Sequence, residues 1–227
     1  MGITVLSSEQ RPVLRVGTTG DYRPFTWLRP DGQYEGLDIE WMKRLGRDLG
    51  FRVAFVATSW PHLHEELTAG AFEAAIGGIS STRERRQTFL VSEVYRQTGK
   101  TILCRSEDAG HYRSLDDLDR PSVRVMFNPG GTNEAFVRRF LTHAAWICHE
   151  QNGEIPVRIA AGEADIMMTE TVEAAYHAAR DPRLCAPLLT QPFTHDGFAV
   201  LLAHGQDGLL RRINAYLTEH PPCVRSE

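Results

Sequence analysis

The segment Asn128-Pro-Gly-Gly-Thr-Asn133 carries the strongest local chemistry in the chain. Adjacent glycines let a backbone approach a ligand closely, and Thr132 is placed to cap a following helix whose free N–H groups would face outward. The positive end of such a helix favours an anion such as a carboxylate. The same residues would equally make a plain tight turn with a threonine cap. Arg85, in Ser80-Ser-Thr-Arg-Glu-Arg-Arg86, offers a planar fork suited to bidentate capture of a carboxylate, although most arginines in such charged runs are solvated. Lys100 opens an apolar strand, a position where its amine can be partly buried.

Glu170 and Glu173 stand three apart at the start of a helical pattern and so share one face. Two readings remain open. The acids complement the helix N-terminus, with Glu173 reaching back as a cap, or one of them is a proton donor. A donor there needs desolvation strong enough to overcome the helix dipole. Trp60, in Thr58-Ser-Trp-Pro61, is a core residue or a platform on a loop. His62-Leu-His-Glu-Glu66 places its histidines at i and i+2, on different helix faces, which excludes a zinc hydrolase of the H-E-x-x-H type. The chain has no G-x-S-x-G elbow, P-loop or G-x-G-x-x-G, and neither a metal nor an organic cofactor is expected. Cys104, Cys148, Cys185 and Cys223 lack metal-knuckle and C-x-x-C spacings. If one disulfide forms in an oxidising compartment, Cys104 and Cys185 are the expected pair, since both lie in strand-like segments.

The elements that must position these groups alternate along the chain. Strand patterns at Val13–Gly17, Arg52–Ala57, Ala74–Gly78 and Thr101–Cys104 are separated by helical faces marked by Trp41, Met42, Leu45 and Leu49, then by Trp60, Leu63 and Leu67. A polar stretch, Arg105 to Tyr112, interrupts the pattern. Strands at Ser122–Phe127, Ala145–Cys148, Asp165–Thr169 and Phe198–Ala203 then alternate with helices at Asn133–Thr142, Pro156–Ala161, Thr171–Ala179 and around Leu209 to Leu217. Such alternation predicts α/β architecture with parallel sheets covered on both faces. Ligands in open α/β sheets bind beyond the carboxyl ends of strands, where the segments above fall.

The 227 residues allow one large domain or two lobes, and 25 Lys+Arg against 29 Asp+Glu give a net charge of -4. That balance leaves no electrostatic footprint for nucleic acid or an anionic membrane surface. No apolar run approaches the ~18–20 residues of a membrane span. Met1 to Gln10 lacks the basic end and apolar stretch of a signal peptide. The expectation is therefore a cytoplasmic chain, or a periplasmic one whose export signal has been removed.

Taken together, Gly20-Asp-Tyr-Arg-Pro-Phe25, Gly36-Leu-Asp38, the Ser80 to Arg85 segment and the Gly131-Thr132 helix start resemble the amino-acid-binding branch of periplasmic solute-binding proteins. The resemblance spans roughly Val13 to Glu219. It implies a two-lobed type II fold with a ligand cleft between lobes, residues 12–107 plus 194–227 forming one lobe and 108–193 the other. It also implies that Arg85 and the Thr132 helix start hold an α-carboxylate, and that Glu170 receives an α-ammonium.

A narrower similarity, through Thr58-Ser-Trp-Pro61, Gly99-Lys100, Asn128 to Glu134 and Met167 to Ala174, is to the cyclohexadienyl dehydratases. These enzymes, built on the binding-protein fold, convert prephenate to phenylpyruvate and arogenate to phenylalanine. The similarity implies Glu173, Lys100 and Asn128 as catalytic residues. Asp21, Trp60, Gly78, Ser80, Arg85, Thr132, Asn133 and Glu170 would be the substrate-binding set. The expected partner is a small-molecule substrate, and a homo-oligomer is left open. A non-catalytic amino-acid receptor for a transporter is the alternative.

Overall fold

A computed structural model describes residues 11–222. The principal elements run in chain order. Strand β1 (Val13–Thr18) leads to α1 (Leu37–Asp48), β2 (Arg52–Ala57), α2 (Leu63–Thr68), β3 (Ala74–Ala75), α3 (Arg83–Thr88) and β4 (Leu90–Val91). There follow β5 (Lys100–Arg105), β6 (Arg124–Phe127), α4 (Thr132–Phe140), β7 (Ala145–Cys148), α5 (Ile155–Ala160), β8 (Ile166–Glu170), α6 (Thr171–Ala178) and β9 (Leu184–Cys185). The chain continues through β10 (Leu201–Leu202) and α7 (Asp207–Glu219).

Two compact units result. Among the described residues, unit 1 comprises 11–20, Phe25–Arg96 and 198–222; unit 2 comprises Asp21–Pro24 and Gln97–Gly197. The crossing therefore comes at Gln97, ahead of the expected boundary at residue 108. The reason is β5. Its apolar run pairs antiparallel with β8 and with β9, so it belongs to the second sheet. The polar stretch that suggested a boundary is a 3-10 helix, Ser106–His111, within unit 2.

The sheet of unit 1 has the order β2-β1-β3-β10-β4 and that of unit 2 the order β7-β6-β8-β5-β9. In each, three parallel strands are followed by an antiparallel one. The expectation of wholly parallel sheets is thus corrected. Helical alternation predicts only the strands linked by crossover helices, whereas β5 and β10 enter their sheets where the chain passes between units.

In unit 1, Ile39, Trp41, Met42 and Leu45 of α1 are buried. Trp41, Met42 and Leu45 pack with Leu14 and Val16 of β1 and Ile213 and Leu217 of α7. Gly50, at φ 80°, ends the helix as its glycine predicted. In unit 2 the two-residue period of strands sorts side chains onto opposite faces. Ile102, Cys104, Val125, Phe127, Ile166 and Met168 meet Phe136 and Val137 of α4. Leu103, Met126 and Met167 meet Ile155 and Ile159 of α5 and Ala174 of α6. Cys104 and Cys185 are register partners, but both are free thiols, with Cys104 Sγ 3.6 Å from the Cys185 carbonyl oxygen. Cys223 lies outside the described residues.

Candidate active site

The pleat of β5 and β8 decides where the polar groups of unit 2 go. Lys100 and Glu170 are register partners, and by parity they follow Ile102 and Met168 onto the face covered by α4. There the Lys100 ammonium donates to Thr132 Oγ1 at 2.7 Å, to Asn133 Oδ1 at 2.6 Å and to the Glu170 carboxylate. Thr132 Oγ1 also donates to Glu170 Oε1 at 3.2 Å, and the Tyr22 hydroxyl donates to Oε2. All five side chains are at least half removed from solvent, and Lys100 and Glu170 are buried. Burial opposes ionisation of Glu170, yet Lys100, Tyr22 and Thr132 outweigh it and hold its carboxyl below the ordinary range. Lys100 and Glu170 therefore form an ion pair whose remaining hydrogen-bonding capacity is met by neighbours, the condition for such a pair to be tolerated inside a protein.

Thr132 does not cap α4, contrary to expectation. Gly131 is the capping residue, no side chain caps the helix, and Thr132 is its first helical residue. Its hydroxyl is drawn instead to the buried pair. The Gly130 N–H, in the loop before the helix, is taken by Glu134 Oε2 at 2.7 Å. Asn128, buried at the end of β6, leans over Gly131, whose hypothetical Cβ would stand 3.6 Å from its Nδ2. Gly99 fixes the entry to β5. A side chain there would strike the Thr194 carbonyl oxygen at 2.0 Å, and the Gly99 carbonyl accepts the N–H of Thr171, the first residue of α6.

The opposite pleat face carries the second acid. Thr169 follows Met167 toward α6, where its hydroxyl meets Glu173 Oε2. Asn152 Nδ2 donates to Glu173 Oε1 and to the Asp21 carbonyl oxygen, each at 3.2 Å. Glu173 is only 1% exposed. That burial, with the charges of Glu170 and Asp21 adding to it, pushes its carboxyl well above the ordinary range despite the donors Thr169 and Asn152. Glu173 does not reach back as a cap, since no side chain caps α6. Two carboxyl groups three residues apart are thus driven in opposite directions, Glu170 toward the anion and Glu173 toward the neutral acid. Such divergence is how proteins assign acid and base roles to like side chains.

In unit 1 Arg85 is 4% exposed, unlike a solvated arginine. Its Nη1 donates to the Ser80 carbonyl at 2.8 Å and its Nε to His64 Nε2 at 3.1 Å. Burial and the neighbouring guanidinium keep the His64 imidazole below its ordinary range, so it is neutral and accepts. The loop before Ser80 is set by Gly77 and Gly78, at φ 135° and 66°, conformations in which other residues are strained. The Gly78 N–H donates to Asp38 Oδ2 at 2.8 Å, and the Tyr95 hydroxyl donates to the same oxygen at 2.5 Å. Trp60 packs against the Leu63, Leu67 and Phe72 cluster of this unit. Among the described residues no three His, Cys, Asp or Glu side chains gather as a metal-binding group.

Nine of the eleven expected residues fall into three local groups: Lys100, Thr132, Asn133 and Glu170; Glu173 with Asp21; and Arg85 with Ser80 beside Gly78. Asn128 stands apart beside Gly131, and Trp60 packs in an apolar cluster. Tyr22, Thr169, Asn152 and His64 had no role assigned from sequence. Thr169 falls at the end of the strand expected over Asp165–Thr169, and Asn152 lies outside every motif singled out in the sequence. The one signal was Thr169 standing four residues before Glu173 across a strand-helix junction.

The sequence profile of the bacterial extracellular solute-binding proteins, family 3, matches residues 14–221. The chain belongs to this family. It is 39% identical over 190 residues to the cyclohexadienyl dehydratase of Pseudomonas aeruginosa, covering 84% of this chain and 71% of that one. It is 23% identical to the L-cystine-binding protein TcyJ of Escherichia coli, covering 93% of this chain and 78% of the relative. Among solved structures, the ancestral amino acid-binding protein AncCDT-1, described as a precursor of cyclohexadienyl dehydratase, superposes with a TM-score of 0.84. It is 34% identical, over 91% of this chain and 88% of that one. The fold is the two-lobed type II fold of periplasmic binding proteins, each unit being one lobe. No helix among the described residues is long and apolar enough to cross a membrane.

Proposed function

We propose that this protein is a cyclohexadienyl dehydratase acting in the periplasm, converting prephenate to phenylpyruvate and arogenate to phenylalanine. The observation that carries this reading is Glu173, a carboxyl 1% exposed and held by Asn152 and Thr169, which burial pushes toward the neutral acid while Lys100 draws the neighbouring Glu170 toward the anion. An amino-acid receptor has no use for a buried neutral acid, whereas expulsion of hydroxide requires a proton donor. The acid would transfer its proton to the ring hydroxyl oxygen as the C–O bond breaks. The electron pair of the bond to the departing carboxylate passes into the ring, which becomes aromatic, and water and carbon dioxide leave. Proton donation of this kind supplies ~10²–10⁴-fold.

The other roles follow the chemistry of each group. Within unit 1, Arg85 with Ser80 and the Gly78 loop would bind the carboxylate that survives; within unit 2, the Thr132 helix start would contribute its own anion contact. Lys100, Asn128 and Asn133 would orient the ring and leaving group, with Asp21 and Trp60 completing the binding set. The carboxylate lost as carbon dioxide belongs in a less cationic setting, because stabilising it would deepen the ground state. A receptor reading is favoured by the 34% identity to an ancestral amino acid-binding protein. One assay separates the two: purified protein is incubated with prephenate at neutral pH and phenylpyruvate is measured. Multiple-turnover formation supports the dehydratase; saturable binding without turnover supports the receptor.

A further inference from the structure

Glu173 must change charge during the proposed reaction. A buried neutral acid that gives up its proton leaves a carboxylate in surroundings that disfavour it. Something within reach has to accept that cost, and the structure puts two side chains there. Asn152 Nδ2 lies 3.2 Å from Glu173 Oε1, and the Thr169 hydroxyl is on Oε2. Both residues are buried, Thr169 at 0% and Asn152 at 1% exposure. Burying an amide this completely is costly, the more so because Asn152 Oδ1 is buried with no hydrogen-bond partner. The amide is thus spent on its donor side, toward Glu173 and the Asp21 carbonyl.

We propose that Thr169 and Asn152 are positioning residues for the dehydration: they fix the Glu173 carboxyl and stabilise the carboxylate that forms as it releases its proton. This rests on the dehydratase reading above. The two partners are not equivalent. An amide N–H can only donate, so Oε1 is always an acceptor and the transferable proton resides on Oε2. A hydroxyl both donates and accepts, so Thr169 accepts or stands aside while Glu173 is neutral and donates once it is charged. The proton moves from Oε2 to the leaving oxygen, Thr169 keeps its own, and no further group is consumed. Hydrogen bonds to a charged acceptor are about twice as strong as neutral ones. Both bonds therefore strengthen as the transition state is approached, the condition for raising turnover without tightening substrate binding.

The titratable groups around Glu173 act on the same balance. Glu170 on β8 and Asp21 oppose its ionisation, Tyr22 couples to both glutamates and to Thr169, and Lys100 lies beyond Glu170 as its counter-ion. Thr169 and Asn152 donate to Glu173 itself and carry no charge, so they can be altered without changing the net charge of the set.

The test uses Thr169→Val, which keeps the branched shape suited to a strand, Thr169→Ser, which keeps the hydroxyl, and Asn152→Leu, which removes the donor without leaving room for water. Prephenate turnover is measured across pH. In parallel, the Glu173 carboxyl is titrated by carbon-13 NMR in protein labelled at glutamate. Thr169→Val and Asn152→Leu should each lower kcat by ~10-fold or more with KM nearly unchanged, as loss of a transition-state contact requires. The alkaline limb and the carboxyl titration should move to higher pH, since a donor to the charged form has been removed. Thr169→Ser should restore both. Equal turnover and equal carboxyl titration in the valine and serine variants would overturn the assignment. If the wild-type protein does not turn over prephenate, the dehydratase reading fails by itself. The carboxyl titration then still decides whether the two donors hold Glu173. Should Asn152→Leu not fold, the near-isosteric valine variant carries the test.

Discussion

Replacing Glu173 by glutamine keeps the shape of the side chain and removes the proton it could transfer. The amide fits the site: its oxygen can accept from Asn152 Nδ2, and its nitrogen can donate to the Thr169 hydroxyl, in place of the carboxyl contacts seen here. The variant should therefore fold. Turnover of prephenate should fall by ~10²–10⁴-fold, the span of general acid catalysis, or about 3–5 kcal/mol in the barrier. Binding of substrate or product should change far less. A second signature needs no substrate. The folded carboxyl has a pKa well above its ordinary value of 4.5, so the folded state holds a proton that the unfolded chain releases. Stability is fully present below the unfolded value and declines as pH rises toward the folded one, by up to ~1.4 kcal/mol per pH unit. Glutamine has no such dependence. Urea denaturation of both proteins from pH 5 to pH 8 should show the wild type losing stability relative to the variant. A stability difference that is flat across that range, together with near-normal turnover in the variant, would falsify the general-acid assignment.

Arg85→Ala should weaken binding of carboxylate ligands by the ~2–5 kcal/mol that loss of one partner from a desolvated charge pair costs, measured by calorimetry with phenylpyruvate. An unchanged dissociation constant would place the carboxylate elsewhere. Lys100→Met leaves Glu170 buried without its counter-ion and should destabilise unit 2 by ~3–5 kcal/mol; adding Glu170→Met should recover much of it, and a double variant no more stable than the single one would refute the pairing. Asp38 is pushed up to about 6 by burial, against its contacts with Tyr95 and Gly78. Its folded value exceeds its ordinary 3.8, so stability should decline as pH rises from about 4 to 6, by a few kcal/mol at most, and Asp38→Asn should remove that decline in urea titrations.

Much of this architecture is legible in the chain, and the failures have physical causes. Strands at Val13, Arg52 and Ala145 and the helix ended by Gly50 follow from periodicity and a stop residue, both local properties. The antiparallel entry of β5 and β10 is not local, because a strand's direction depends on where the chain has come from. Composition leaves Arg85 divided between a solvated arginine and a carboxylate clamp; what buries it is a carbonyl five residues back and an imidazole from another helix. A threonine after Gly-Gly at a helix start predicts a cap, because capping is a common local use of its hydroxyl. A buried ion pair on the neighbouring strands outbid that local role. Asn152 could not be found at all, since nothing in a polar loop says that its amide will meet a carboxyl on a helix more than one element away.

The position of β10 in the first sheet bears on how the protein is made. It lies between β3 and β4, yet it is translated last of the five. A ribosome that has finished Val91 must add ~110 further residues before Leu201 emerges, and at about 5–20 residues per second that takes roughly 5–20 s. Throughout that interval the edges of β3 and β4 stand open to pairing with other nascent chains. Gln97–Gly197, almost the whole of unit 2, is complete before the gap can close. The finished second unit is therefore born beside an unfinished first one, and a chaperone that shields exposed strand edges should raise the yield of this protein more than its thermodynamic stability would suggest.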